Sequence, residues 1–161
     1  MNVTAEQIRH ALGHFATGVT VVTSIGPVTA PVGTTASAVS SLSLTPPLLL
    51  VCLERGSETL RALRGHGAFA INVLADGQQE LSANFARRGV ACTWEGVEHR
   101  LGLTGSPRLD GVLAVLDCEL EQCLDGGDHE IVVGRLRELE VAGEDRAPLL
   151  HYRGVYASLA A

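Results

Sequence analysis

The sequence predicts a mainly β protein, an antiparallel barrel or sandwich with short helices inserted, and three observations predict it. Six or so stretches, among them Val19 to Ile25 and Phe69 to Leu74, are rich in β-branched and aromatic residues and bounded by Gly, Pro or Asp. The helical patterns between them are short and do not alternate regularly with strands, as a doubly wound sheet requires. Val112 to Gln122 puts Val112, Ala114, Leu116, Cys118 and Leu120 on one face and Asp117, Glu119 and Glu121 on the other, the pattern of a half-exposed antiparallel strand.

Taken in order, Thr4 and Gln7 have the spacing of a capping box, and Ile8, Leu12 and Phe15 continue one apolar face, so the chain starts with a short amphipathic helix. Val19 to Ile25 is the first strand and Gly26-Pro27 its turn. Gly33 to Pro47, GTTASAVSSLSLTPP, reads as an extended stretch with too little bulk and too many hydroxyls for a core strand. It is either a wall against which a ligand lies close to the backbone, or a polar edge strand or Ser-rich loop.

Pro46-Pro47 breaks the ladder before Leu48 to Leu53, an apolar run expected to be buried on both faces. Ser57 caps a second helix from Glu58 to Arg64, with Leu60 and Leu63 inward and Gly65 and Gly67 ending it. Phe69 to Leu74 is the next strand. Asp76 and Gln79 have capping spacing for a third helix running to about Arg88, with Leu81 and Phe85 on one side. Gly89 to Asp110 has only scattered apolar residues and reads as a long surface excursion. After Val112 to Gln122, Asp125 to Asp128 turns the chain and Ile131 to Val141 returns. Setting Asp117 against Arg137 and Glu119 against Arg135 predicts an odd-numbered loop. Two short extended pieces around Gly154 finish the chain.

The length of 161 residues fits one domain, 1–161, and 46% hydrophobic content fits a compact chain. The net charge of -6, with all 12 basic residues arginine and no basic run, argues against nucleic acid or an anionic membrane as partner. The apolar run at Leu48 is too short to cross a bilayer, and no secretion signal is evident, so a cytoplasmic protein is expected. The four cysteines lack CxxC spacing and read as buried free thiols.

Gly65 to Ala70 matches the letters GxGxxA, but a helix precedes it and a strand follows, the reverse of a dinucleotide fingerprint. No GxxxxGK, HExxH or GxSxG occurs. Ser57-Glu58-Thr59 opens a helix and is a phosphate site or an ordinary cap. Arg87 and Arg88 could neutralise such a phosphate or simply favour a helix C-terminus. His129 at a hairpin tip is a site candidate; Tyr152 stacks on a flat ligand or fills the core. His10, His14, His66 and His99 have no useful spacing.

Six blocks in fixed order, ALGHFATGVTVVTS, GTTASAVSSLSLTPPLLLVCLERGSETL, GAFAINVL, LSANFARRG, GDHEIVVGRL and PLLHYRGVY, span nearly the whole chain. Together they resemble the short flavin reductases that supply reduced flavin to two-component monooxygenases, a family with the FMN-binding, antiparallel Greek-key split β-barrel. The resemblance implies Thr35, Ala36 and Ser37 against the isoalloxazine, with Ser41 on the same wall. It implies backbone contacts from Cys52 and Leu53, and Ser57 and Thr59 at the phosphate end. Phe85 and Arg87 would touch the flavin tail, and His129 and Tyr152 would face the nicotinamide. Alternation along the wall then predicts that Thr35, Ser37 and Ser41 face the flavin while Thr34 and Ser40 point away, unless a bulge intervenes. The chain departs from the family pattern at Thr34 and Val39, and Arg55-Gly56 suggests a looser phosphate loop.

The implied activity is NAD(P)H:flavin oxidoreduction, with FMN or FAD reduced by NADH or NADPH, in a homodimer that passes reduced flavin to an oxygenase. Direct hydride transfer asks the protein to stack two rings and stabilise developing charge, a task that needs no side-chain nucleophile or metal. The alternatives are a non-catalytic flavin- or haem-binding split barrel, and an oxidase of the pyridoxamine-phosphate type, which would want a more basic site than this lysine-free chain offers.

Overall fold

The computed structural model describes residues 3–87, 92–143 and 145–159. Helix α1 (Ala5–Leu12) begins with the expected capping box: the Gln7 amide N–H donates to Thr4 Oγ1 at 3.2 Å and the Thr4 N–H to Gln7 Oε1 at 2.9 Å. Its apolar face is not covered by the chain itself, since no α1 residue is buried.

Seven strands form one antiparallel sheet. They are β2 (Thr20–Ile25), β3 (Pro31–Ala36), β4 (Val39–Leu44), β5 (Pro47–Glu54), β6 (Ala68–Val73), β9 (Ala114–Gly126) and β10 (His129–Val141), in spatial order β3-β2-β6-β9-β10-β5-β4. The outer strands β3 and β4 are consecutive in the chain, joined by Ser37-Ala38 rather than by a ladder. The Cys52 N–H donates to Ala38 O across that joint at 3.0 Å. The Gly33 to Pro47 stretch is therefore two strands with a break, because the sheet has to turn back on itself there. A separate three-stranded sheet joins β1 (Thr17–Gly18), β11 (Leu150–Tyr152) and β12 (Val155–Ala157). The mainly β, antiparallel expectation holds.

Apolar residues cover both faces of the central strands. On one face Val22, Val51, Phe69, Ile71 and Val132 pack with Leu60 and Leu63 of helix α2 (Glu58–His66). On the other, Val21, Ala70, Leu74 and Val115 pack with Phe85 of helix α3 (Gln79–Phe85) and with Leu109. Strands β2 and β6 are the ones buried on both sides. Strand β5, expected to be so, alternates: Leu49, Val51 and Leu53 are buried and Leu48, Leu50 and Cys52 only half so, because β5 lies next to the sheet's edge. Helix α2 is capped by Ser57, whose Oγ accepts from the Leu60 N–H, and ends at Gly67; Gly65 stays inside it. Helix α3 starts later than expected. Asp76 accepts from the Gly77 N–H instead of capping, and Gln78 takes the cap position.

The excursion reading fails over the described residues 92–110. A hairpin of β7 (His99–Leu101) and β8 (Pro107–Leu109) packs against the central strands β2, β6 and β9, with all of β8 buried. Polar anchoring holds it: the Leu109 N–H donates to Asn72 Oδ1 at 2.8 Å, and Thr23 Oγ1 donates to Pro107 O. Asp117, expected on the solvated face of its strand, is fully buried beneath the hairpin tip and accepts from the Thr104 N–H at 3.1 Å and from Thr104 Oγ1. Such specific polar contacts leave no hydrophobic periodicity to read.

The β9–β10 register is half as expected. Arg135 does lie opposite Glu119, but the loop is the two residues Gly127-Asp128, an even number. Bulges at Glu121 and Arg137 shift the pairing, and Asp117 meets Glu138. Arg135 grips Glu121 with two bonds of 2.8 Å, and Arg137 reaches Glu119 at 3.1 Å. Gly127, at φ 81, supplies the positive φ that the tight turn needs.

Candidate flavin site

The joint between β3 and β4 opens into a cleft of about 870 Å³, within the range of a small-molecule site. One wall is Gly33 to Ala38, where alanines, glycine and short hydroxyl side chains leave the backbone accessible. Cys52 to Glu54, at the end of β5, form the adjoining wall, and Gly56 to Thr59 bring in the first turn of α2. Phe85 to Arg87 close the cleft from α3, and His129 stands at the β10 side.

Ten of the twelve residues expected at the site line this one cleft: Thr35, Ala36, Ser37, Cys52, Leu53, Ser57, Thr59, Phe85, Arg87 and His129. Their roles differ by exposure. Leu53, Thr59 and Phe85 are buried and form the floor, while Ser37 and Arg87 are exposed. The Thr35 hydroxyl is already used, donating to Ser82 O at 2.7 Å. Thr34, expected to point away, also lines the cleft. Ser41 lies beyond the break, exposed on β4 and outside the cleft lining. Tyr152 sits on β11, exposed, with its ring 6.4 Å from that of His14, and does not line the cleft either. Its neighbour Tyr156 comes closer through α3, donating from its hydroxyl to Ser82 Oγ at 2.9 Å.

Gly33 is required by close approach: a Cβ there would sit 2.8 Å from Phe85 Cε1. Phe85 in turn meets Trp94 edge to face at 5.1 Å, and Trp94 and Cys92 both line the cleft. Sequence reasoning missed these two because they lie in the segment read as an excursion; Trp94, the single tryptophan, was the available signal. The Cys92 thiol donates to Gly33 O at 3.7 Å, and burial pushes its pKa up.

The polar end is held by charge. Buried Glu130 receives Arg55 at 3.2 Å and also Arg64 of α2. Arg55 further donates to Gly127 O at 2.6 Å and pairs with Asp125, and its N–H donates to Asp128 O at 3.1 Å. The Arg55-Gly56 loop is thus pinned to the β9–β10 turn, not loose. Next to it His129 Nδ1 lies 2.8 Å from Asp128 Oδ1, and that hydrogen bond, then the charge of the ring, holds the Asp128 carboxyl below its usual range.

These residues fit a flavin. Small residues on the β3–β4 wall suit a flat ring, and the N-terminus of α2, with the Ser57 hydroxyl and nearby Arg87, suits a phosphate. Residues 12–160 match the family model described as Flavin reductase like domain. The chain belongs to the flavin reductase-like family. The reductase subunit HsaB of a flavin-dependent monooxygenase from Rhodococcus jostii is 41% identical over 153 residues, covering 95% of this chain and 77% of that one. A Rhizobium meliloti protein named "Probable flavin reductase" is 43% identical over 136 residues; these cover 84% of this chain and 43% of the longer relative. Among solved structures, the NADH:FAD oxidoreductase SgcE6 of Streptomyces globisporus, in complex with NAD and FAD fragments, superposes with a TM-score of 0.89 at 33% identity, covering 99% of this chain and 97% of that chain.

Proposed function

We propose that this flavin reductase-like chain is an NAD(P)H:flavin oxidoreductase that reduces FMN or FAD and releases reduced flavin to a partner monooxygenase. The observation that carries the reading is the single cleft at the β3–β4 joint, which gathers a small-residue wall, a helix N-terminus with Ser57, and His129 on one cavity. Family membership and the names of its relatives support it. NADH is the preferred donor on the same support, and a cytoplasmic location and one domain over 1–161 go with it. No helix among the described residues is long and apolar enough to cross a membrane.

A flavin bound in the cleft supplies the two-electron acceptor for hydride leaving the nicotinamide ring. Thr35, Ala36 and Ser37 set the plane of the wall, and Cys52 and Leu53 limit how deep a ring can enter. Ser57 and Arg87 hold the phosphate. His129, oriented by Asp128, faces the side from which nicotinamide approaches and stabilises negative charge building up during transfer. Tyr152 and Ser41, away from the cleft within one chain, are proposed to meet ligand only where a second copy is present. The homodimer reading rests on the uncovered apolar face of α1.

Purified protein mixed with a nicotinamide donor and a flavin under anaerobic conditions tests the reading. Bleaching of both the nicotinamide and the flavin bands in equal amounts is the expected result. Binding of flavin without turnover by either donor would indicate a carrier instead, and rates across the four flavin and donor combinations fix the preference.

A further inference from the structure

Resting on the flavin reductase reading, we infer that Arg55 is a positioning residue for hydride transfer: it holds the turn that carries His129, and so sets where the imidazole meets the nicotinamide. Two turns meet at this end of the cleft. One, Glu54 to Ser57, is closed by the Ser57 N–H donating to Glu54 O at 2.9 Å and leads into the cap of α2. The other, Gly127-Asp128, leads into β10, where His129 stands opposite Glu54 in the ladder. Arg55 joins them. Its Nε–H donates to Gly127 O at 2.6 Å, its main-chain N–H to Asp128 O at 3.1 Å and one terminal nitrogen to Glu130 Oε1 at 3.2 Å, while the other pairs with Asp125. These contacts bracket His129 on both sides in the chain.

His129 needs such an anchor. Its side chain is 46% exposed and that of its partner Asp128 is 93% exposed, so the bond between them is too solvated to fix the ring alone. Gly127, at φ 81, has no side chain to restrict the turn. A guanidinium set on the Gly127 carbonyl and on buried Glu130 removes that freedom, because its rigid fork holds several acceptors at once. The alternative use of Arg55 is stability, and magnitudes separate the two. Glu130 keeps a second partner in Arg64, and Asp125 is 82% exposed, so losing the Arg55 side chain removes contacts worth about 1 kcal/mol each or less. A displacement of about 1 Å in a group facing the reacting atoms, by contrast, costs up to about 100-fold in rate.

A double-mutant cycle tests this, with anaerobic rates of NADH oxidation at saturating flavin for the wild type, Arg55→Met, His129→Ala and the double variant. Arg55→Met is expected to slow reduction at least about five-fold while moving the flavin Kd less than about two-fold, and to add less than about two-fold once His129 is alanine. Arg135→Met, which releases Glu121 in the same hairpin farther from the turn, should lower the urea midpoint without slowing reduction. Losses that multiply in the double variant would make Arg55 a structural residue and overturn the inference. An unchanged rate in Arg55→Met, or an equal slowing by Arg135→Met, would do the same. If Arg55→Met does not fold, Asp125→Ala carries the test: it removes an exposed partner of Arg55, and its loss of rate should likewise vanish in the His129→Ala background. A wild-type rate in His129→Ala would overturn the inference and leave the reductase reading standing, whereas a wild type that reduces neither flavin would overturn that reading itself.

Discussion

Two residues set opposite limits on the cleft. Gly33 lets β3 pass directly over Phe85, and Gly33→Ala would force the ring and Trp94 behind it to move. We expect that variant to lose about 1–3 kcal/mol in urea denaturation, the usual cost of overpacking, and to bind flavin more weakly. His129 limits the other side. With flavin saturating, His129→Ala should slow NADH-dependent flavin reduction at least about ten-fold, as loss of a positioned polar group does. An unchanged rate would remove His129 from the mechanism. Trp94 shows how much of a site can hide from sequence: its contribution depends on a fold-back of the chain that no local pattern announces.

At the level of elements, the β9–β10 hairpin carries His129 and is tied by charge to the start of α2. Glu130→Gln would leave Arg55 and Arg64 facing a neutral amide across a buried position. Because both arginines are half-exposed and the acid is not, a cost of about 2 kcal/mol is expected in chemical denaturation. Three carboxylates of this hairpin are more acidic than usual. The Gly127 N–H bond and then Arg55 lower Asp125, the His129 bond lowers Asp128, and the Arg135 bond lowers Glu121. A carboxyl lowered in the folded state stabilises fully above its unfolded pKa and loses that effect as pH falls through the folded one. Thermal midpoints should therefore hold from neutral pH to about pH 4 and drop below it; a flat profile into stronger acid would contradict these pairings.

The same elements mark the reach of sequence reasoning. Capping at Thr4 and Ser57, the β-branched strands and the Gly154 turn are local chemistry, and each was legible. Loop parity at Gly127 was not, because a bulge at Glu121 cancels it, and neither was the burial of Asp117, which depends on Thr104 folding over it. In the cleft, the small-residue wall and the helix N-terminus were readable as composition, whereas their meeting point was visible only through the family resemblance.

Across the whole molecule, the sheet's two outer strands are joined by Ser37-Ala38, and the cleft where the ligand is proposed to bind occupies that joint. On the outside, α1 and the residues after it leave Ile8 at 47%, Leu12 at 66% and Phe15 at 75% exposure, a face that a second copy would cover. Light scattering should give twice the chain mass of 16.9 kDa, and Leu12→Glu with Phe15→Glu should shift the protein to monomer. Anaerobic mixing of the wild type with equimolar NADH and FAD, monitored at both absorbance bands, should consume one NADH per FAD reduced at a rate far above that of the same mixture without protein. Flavin binding with no acceleration of NADH oxidation would contradict the account.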